Sequence, residues 1–500
     1  MRRLLGVALL ICSLVQPAVG LAEEFSRGLA ITDPLALREL DLREHRDDAA
    51  LHPGFGLRQM LDPSSPTPLR NDELFALPSM AALHAAIDDE IARYGKAHQS
   101  EAPKLFDRDR LVASTSRFVL VGIINRMDRG YVAADGCGEI RLIYRPVNDA
   151  GDATQRLPMT LNIVLRAGAA AAFACSELAR RWLTAGESPD AGATRARRLI
   201  AADGPLAPLG PAAIDRIEIN LQIATMSSAG GGEFRADYLM MVFRFDAASG
   251  RYQAAPMENQ IDRDRLVADR DLGKQFKRWL LQPETIAAFD RGTLIIPEPY
   301  LARRVIAATP TAFTYSELRP ASGLAGPGRS EPLFSDADVV AALQRATESG
   351  VALQNIRSPA GFVRRLNDIT CSGCHQTLGI GGFHFPGVDW TAERTQRSAM
   401  PGSPHFIGDQ IRRRDIVASI RDGRKPDYTR GFTDRPQLRG ATALAGTEYL
   451  DGWGAACGLA GEGGVVDPSF RDWRCAEGLT CQPARKATSF PIGMCLVGTR

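Results

Sequence analysis

Cysteine is the residue type that most constrains how this chain can fold. The 500 residues include 9 cysteines, and they are unevenly spread. They are Cys12, Cys137, Cys175, Cys371, Cys374, Cys457, Cys475, Cys481 and Cys495. Disulfides form in oxidising compartments and are rare in the cytosol. The role of these cysteines therefore depends on where the protein resides.

The N-terminus has the features of an export signal. Positive charge at Arg2 and Arg3 precedes the apolar run 4–15, and small residues close the segment at Ala22. This order is typical of a cleavable signal peptide, which we place at residues 1–22. No other stretch reaches the roughly 18 consecutive apolar residues of a membrane span. The sequence therefore predicts a periplasmic or secreted protein without a membrane span after signal removal.

The pentapeptide Cys371-Ser372-Gly373-Cys374-His375 has the C-x-x-C-H spacing of covalent c-type haem attachment. The two thiols bond to haem vinyl groups, and the imidazole becomes the proximal iron ligand. We expect one haem c held by Cys371 and Cys374, with His375 on the iron. The alternatives are a thioredoxin-like redox pair, a zinc site or a chance match. A redox pair should open a helix after a strand, and zinc needs further ligands at short spacing.

The sixth iron ligand is not fixed by the pentapeptide. Met400 begins the Gly/Pro-rich loop 400–404, which resembles the Met-Pro ligand loop of small c-type cytochromes. His384 and His405 are alternatives, as are an open position and a more distant histidine. Methionine ligation raises the iron potential and suits electron transfer. An open position would instead admit peroxide or oxygen.

Several arginines flank this candidate ligand loop. Guanidinium groups pair with carboxylates in a bidentate manner, so one or two could hold haem propionates. A solvated basic helix face is the alternative interpretation. The whole chain is nearly balanced, with 60 basic and 58 acidic residues, and gives no reason to expect a nucleic-acid partner. The flanking arginines are Arg394, Arg397, Arg412, Arg413 and Arg414.

Hydrophobic periodicity predicts an α+β domain with a mostly antiparallel sheet. β-branched apolar runs predict strands at 117–125, 139–144, 159–165, 217–223 and 238–245. The turn signal 246–250 precedes one more short strand, and the glycine-rich segment 227–232 is interpreted as a flexible hairpin. Helical spacing predicts helices at 79–91, 175–185, 193–202, 273–281, 336–350 and 359–366.

The chain divides into five predicted parts. A Gly/Pro/Ser-rich stretch at 321–328 is typical of a linker. The parts are a signal peptide (1–22), an α+β domain (23–320), the linker, a helical cytochrome c-like haem segment (329–450) and a disulfide-rich module (451–500). We expect one disulfide between Cys137 and Cys175. The last four cysteines would form two more, and their connectivity cannot be inferred from sequence.

Short segments in three parts of the chain resemble parts of known proteins. Residues 371–376 with Gly382-Phe383-His384-Phe385 resemble the haem segment of large exported bacterial proteins with one c-type site. Segments 125–128 and 137–141 resemble their N-terminal domain. The resemblance implies architecture rather than an activity. Residues 475–481 are similar to small disulfide modules of secreted proteins.

The sequence therefore predicts an exported c-type haem protein that passes single electrons through one haem. Its partner would be a redox protein or a small-molecule substrate. One alternative is a peroxidase- or oxidase-like haem enzyme with an open sixth position. Another is a non-haem extracellular binding protein in which Cys371 and Cys374 form a disulfide or bind zinc. The pattern leaves open whether the protein is an enzyme.

Overall fold

A computed structural model describes most of the chain. The described residues are 28–43, 52–65, 67–132, 136–148, 157–168, 173–227, 234–308, 332–371, 387–391, 396–400, 406, 408–432, 452–461, 463–483 and 491–498. The predicted signal peptide and linker lie outside them. Within the described residues, each helix is too short or too polar to cross a membrane.

A curled antiparallel sheet of nine strands forms the centre of the fold. Its strands are β1 (Ala30–Ile31), β2 (Lys104–Leu105), β3 (Ser116–Arg126), β4 (Glu139–Asn148), β5 (Met159–Arg166), β6 (Ile214–Ser227), β7 (Phe234–Asp246), β8 (Arg251–Ala255) and β9 (Arg304–Ala308). The strand order is β1-β3-β4-β5-β6-β7-β8, with β2 paired to β6 and β9 to β7. The prediction of an α+β fold with an antiparallel sheet is confirmed. Each predicted strand is present because the β-branched runs have one face to bury.

Helices cover the sheet and continue beyond it. They are α1 (Pro34–Leu42), α2 (Leu57–Leu61), α3 (Asn71–Ala76), α4 (Ala81–Ala97), α5 (Arg108–Leu111), α6 (Cys175–Glu187), α7 (Gly192–Ile200), α8 (Arg263–Ala268), α9 (Arg270–Leu280), α10 (Pro283–Arg291), α11 (Asp336–Glu348), α12 (Pro359–Asp368) and α13 (Gln410–Arg421). The helix predicted near residue 336 begins with a capping box between Ser335 and Asp338.

Apolar side chains of the described residues form two main buried cores. The first lies between one face of the sheet and α1, α4 and α6, with Leu142, Leu161 and Ile219 fully buried. The second joins α8–α12 to the C-terminal module through residues such as Phe362 and Phe470. The C-terminal module is therefore held by apolar packing as well as by disulfides.

Three disulfides link the described cysteines outside the pentapeptide. Cys137–Cys175 ties the entrance of β4 to the start of α6, as predicted. In the C-terminal module the pairs are Cys457–Cys481 and Cys475–Cys495. They fasten a small sheet of strands β12 (Ala456–Gly458), β13 (Leu479–Gln482) and β14 (Ile492–Val497). A separate hairpin is formed by β10 (Gly387–Asp389) and β11 (Gln396–Met400).

Candidate cofactor site

Helix α12 leads to Cys371, the first residue of the pentapeptide, which lies against the sheet. Ser358 caps the helix, its Oγ accepting a hydrogen bond from the Gly361 backbone N–H at 3.0 Å. Pro359 occupies the first helical turn, where its missing N–H is not needed. Phe362 and Leu366 anchor the helix in the second core. The chain leaves the helix after Asp368 and reaches the half-buried Cys371 within one further turn.

Cys371 packs against an apolar surface of the sheet, which we call the sheet patch. The patch is shared by β7, β8, β9 and the residues that follow β8. Its members are Met240, Val242, Ala255, Met257, Val305 and Ala307. In the strand register Met240 lies opposite Val305, and Val242 opposite Ala255. The first cysteine of the pentapeptide is therefore held over a buried, aliphatic and thioether-containing surface.

The sheet patch lies on the face opposite the first core. Successive side chains of a strand point to opposite faces. In β7, Leu239 and Met241 enter the first core, whereas Met240 and Val242 face the other way. Strand β7 is thus apolar on both faces, as is typical of a strand covered on both sides.

A buried ion network borders the sheet patch on the same face. Its members are Arg129, Glu139, Arg141, Arg216, Glu218 and Glu258. The Glu139 carboxylate accepts hydrogen bonds from Arg129 at 3.1 Å, Arg141 at 3.1 Å and Arg216 at 2.9 Å.

Two positions join this ion network to the sheet patch. Glu218 lies opposite Val242 in the β6–β7 register, so both side chains are on one face. Glu258 follows Met257 in the chain and bonds to Arg129. Apolar and charged halves of one surface therefore meet near Cys371.

A second group of buried ions, the α13 cluster, attaches that helix to the end of β3. It consists of Arg126, Asp128, Asp409, Arg412 and Arg413. Arg126 Nε lies 2.9 Å from Asp128 Oδ1, and Arg412 Nη2 lies 3.1 Å from Asp128 Oδ2. Arg412 Nε is 2.6 Å from Asp409 Oδ1, and Arg413 Nε is 3.0 Å from Asp409 Oδ2.

The α13 cluster corrects one interpretation of the arginines near the ligand loop. Arg412 and Arg413 are 2% and 1% exposed, so they do not form a solvated basic face. Their partners are Asp409, one helical turn earlier, and Asp128, just after β3. Sequence spacing could not indicate the distant Asp128. Arg414 is half-buried. Arg394 lies outside the described residues, and for Arg397 the structure describes only its place in β11.

The buried ions have strongly shifted protonation equilibria. Burial opposes ionisation of Glu139, but Arg129, Arg216 and Arg141 outweigh it and hold its pKa well below the usual range. Burial together with the neighbouring Arg126 lowers the pKa of Arg413 to about 9. The α13 cluster has three guanidinium groups and two carboxylates.

The structure describes only part of the predicted ligand set. Cys374, His375, His384 and His405 lie outside the described residues. Met400 ends β11, opposite Gly387 of β10. Trp390 follows β10 and donates from Nε1 to the Leu120 oxygen of β3 at 2.8 Å. The hairpin that ends at Met400 is therefore joined to the β3 side of the sheet.

The described histidines have other partners. His52 Nε2 contacts the Leu209 oxygen, and the His98 ring stacks on Tyr94. His84 lies 3.6 Å from the Asp88 carboxylate.

Sequence reasoning did not find the sheet patch or the ion network. The sequences of the strands nevertheless alternate charged and apolar residues. Glu139 and Arg141 alternate with Ile140, and Arg216 and Glu218 alternate with apolar residues in the same way. Such alternation indicates a charged face, but the pairing of charges between distant strands depends on register.

Comparisons of this chain with protein-family models, with curated proteins and with solved structures give no match. The site is therefore interpreted from its own residues.

Proposed function

We propose that this chain is an exported c-type haem protein that passes single electrons. One haem is attached by Cys371 and Cys374, with His375 as the proximal ligand. A c-type haem supplies one reversible electron through its iron. The observation that carries the proposal is the position of Cys371, on an apolar patch bordered by buried arginines.

The sheet patch fits the apolar part of a haem. Haem has a flat hydrophobic ring, and burying each Å² of apolar surface contributes about 25 cal/mol. Five patch residues are at most 9% exposed, and their side chains are aliphatic or thioether groups. A thioether bond from Cys371 would hold the ring edge against this surface.

The adjoining arginines fit the polar part. Haem carries two propionate groups, and guanidinium forks are the protein groups best matched to carboxylates. Arg129, Arg141 and Arg216 lie in the ion network on the same face as the patch. These residues could orient the cofactor through its carboxylates.

The cysteine pattern supports an exported location. Six cysteines are joined in disulfides, which persist outside the cytoplasm. The C-x-x-C-H motif and the predicted signal peptide agree with this location, because the signal directs the chain out of the reducing cytosol.

Attachment is tested by expressing the full chain, with its signal, alongside a c-type maturation system. We expect a haemochrome spectrum of covalent haem that survives denaturation. Cys374→Ala should change the attachment to a single thioether bond, and Cys371→Ala with Cys374→Ala should abolish it. Ser372→Ala changes only a variable position of the motif and should retain haem. Absence of covalent haem in the unaltered chain would contradict the proposal.

Electron transfer is tested on the same protein by potentiometry and ligand binding. A one-electron titration curve and slow binding of carbon monoxide are expected. Rapid binding of cyanide or carbon monoxide would overturn the electron-carrier assignment in favour of an enzyme with an open iron position.

A further inference from the structure

We infer that a cavity between α1, α2 and β3 binds a small acid that carries a hydrogen-bond donor beside its carboxylate, such as an α-hydroxy or α-amino acid. The inference goes beyond the proposed function. It does not depend on haem attachment, because the residues that line the cavity are all described and lie outside the pentapeptide.

The cavity lies where α1 ends and α2 begins. Asp41 and Leu42 of α1 form one wall, and the start of α2 together with Arg117 and Phe118 of β3 forms the others. Its volume is about 70 Å³, whereas one water molecule needs only ~10–15 Å³. The cavity therefore has room for a molecule of a few non-hydrogen atoms.

Gly56 allows the start of α2 to approach α1 closely. A Cβ at this position would lie 2.3 Å from the Asp41 backbone oxygen and 2.5 Å from Gln59 Oε1. The preceding residue, Phe55, donates its backbone N–H to the Leu40 oxygen at 2.7 Å. The absence of a side chain at residue 56 therefore lets the end of α1 and the side chain of Gln59 meet at the cavity wall.

Gln59 supplies the wall with an acceptor that lacks a donor. The residue is 5% exposed, and its Nε2 donates to the Arg43 oxygen at 3.0 Å, which identifies the other amide atom as the oxygen. That atom, Oε1, is buried and accepts no hydrogen bond from the described residues. A buried acceptor without a donor destabilises a protein. A ligand that brings a donor to this position would therefore be favoured.

Two arginines line the same cavity. Arg58 donates from Nη1 to the Ser65 oxygen at 3.2 Å and from Nη2 to the Arg43 oxygen at 3.3 Å, so its guanidinium is held in place at the wall. Arg117 Nη1 lies 3.5 Å from Asp41 Oδ2. Guanidinium groups match carboxylates in shape and charge. This pair therefore suits the carboxylate of a small acid.

Asp41 strengthens the preference for an acidic ligand. Its Oδ1 accepts a hydrogen bond from the Leu120 backbone N–H at 3.1 Å. Burial outweighs the neighbouring Arg117 and raises the pKa of Asp41 to about 7. Near neutral pH this carboxyl is therefore protonated in a large share of the molecules. In that form it does not compete with the carboxylate of a ligand for the positive charge of the arginines.

Ordered water is the other explanation for the cavity, because water commonly satisfies buried polar groups. Calorimetric titration of the full-length protein with glycolate, glycine and acetate separates the two. Glycolate and glycine carry a donor beside the carboxylate, whereas acetate carries the carboxylate alone. We expect glycolate or glycine to bind, and acetate to bind about tenfold more weakly because it leaves Gln59 Oε1 without a donor.

This comparison of probes uses the unaltered protein and is decisive whether or not a variant folds. A cavity filled only by water would bind none of the three probes, and that result would overturn the inference. Equal affinities for acetate and for the two acids with a donor would overturn it as well.

Two variants assign the binding to this cavity. Gln59→Met removes the acceptor and should weaken the binding of glycolate about tenfold, whereas the matched control Gln275→Met, at an exposed position of α9, should bind it as the unaltered protein does. Arg58→Met should weaken the binding of glycolate and acetate alike, because it removes a partner of the carboxylate. Circular dichroism verifies the fold of each variant. Unchanged binding of glycolate by folded Gln59→Met would overturn the inference.

Discussion

Replacing Glu139 by glutamine tests whether the buried ion network stabilises the fold. Glu139 is 5% exposed and pairs with Arg129, Arg141 and Arg216. Glutamine keeps the shape of the side chain but removes its negative charge. The three guanidinium groups then remain buried with one carboxylate fewer.

The expected loss of unfolding free energy follows from the ion pairs of Glu139. At about 4 Å and an effective dielectric constant near 20, each ion pair contributes about 4 kcal/mol. Burying the carboxylate costs several kcal/mol in the opposite direction. Each arginine keeps another carboxylate of the network. We therefore expect the lower end of the usual range for breaking a buried pair, about 3 kcal/mol of unfolding free energy.

Urea unfolding followed by circular dichroism measures this loss. Glu177→Gln is the matched control, because Glu177 also accepts hydrogen bonds from two arginines but lies at the surface. We expect the control to unfold at nearly the same urea concentration as the unaltered protein. The pKa of Glu139 is held well below 4.5, so its stabilising effect is present above that pH and declines as the pH falls further. Equal urea midpoints for the two variants at pH 7 would refute the reasoning.

Three further outcomes are expected. Burial outweighs a nearby arginine and raises the pKa of Asp41 from 3.8 to about 7. The folded state therefore keeps a proton that the unfolded state releases, so the unfolding free energy decreases as the pH rises from about 4 to about 7. Asp41→Asn should remove this decrease, which thermal unfolding measured from pH 4 to 8 would show. Cys137 and Cys175 are 38 residues apart, and replacing both by serine removes the disulfide that closes this loop. The unfolding free energy should fall by about 4 kcal/mol. An unchanged midpoint of urea unfolding would contradict this. Gly138 has a φ of +83°, and a Cβ added there would lie 2.6 Å from a backbone oxygen. Gly136 has a similar φ but open space around it, so Gly138→Ala should destabilise the protein more than Gly136→Ala. Equal melting temperatures of the two variants would contradict this.

Local patterns were enough to predict the elements of the fold. The apolar run 117–125 lies within β3, and the run 238–245 lies within β7. Ser335 begins α11 through a capping box with Asp338. These signals are local because side-chain periodicity and capping depend on residues only a few positions apart.

Contacts between distant segments could not be predicted in the same way. The arginines of α13 form ion pairs with Asp128, which lies 284 residues from Arg412 in the chain. The disulfides of the C-terminal module were predicted as a set without their connectivity. Cys481 lies opposite Cys495 in the β13–β14 register, yet it pairs with Cys457 of β12, and Cys495 pairs with Cys475. Pairing at such separations depends on strand register, which one sequence does not reveal.

The sequence by itself determined the C-x-x-C-H spacing, the antiparallel sheet and the disulfide between Cys137 and Cys175. Each depends on short spacing or on a small number of possible partners. The tertiary structure alone decided what surrounds Cys371. Alternation along β7 places Met240 on the face away from the first core, and strand pairing brings the ion network beside it. The physical reason is that a sheet joins residues by register across strands, so a continuous surface such as the sheet patch exists only after the strands have paired.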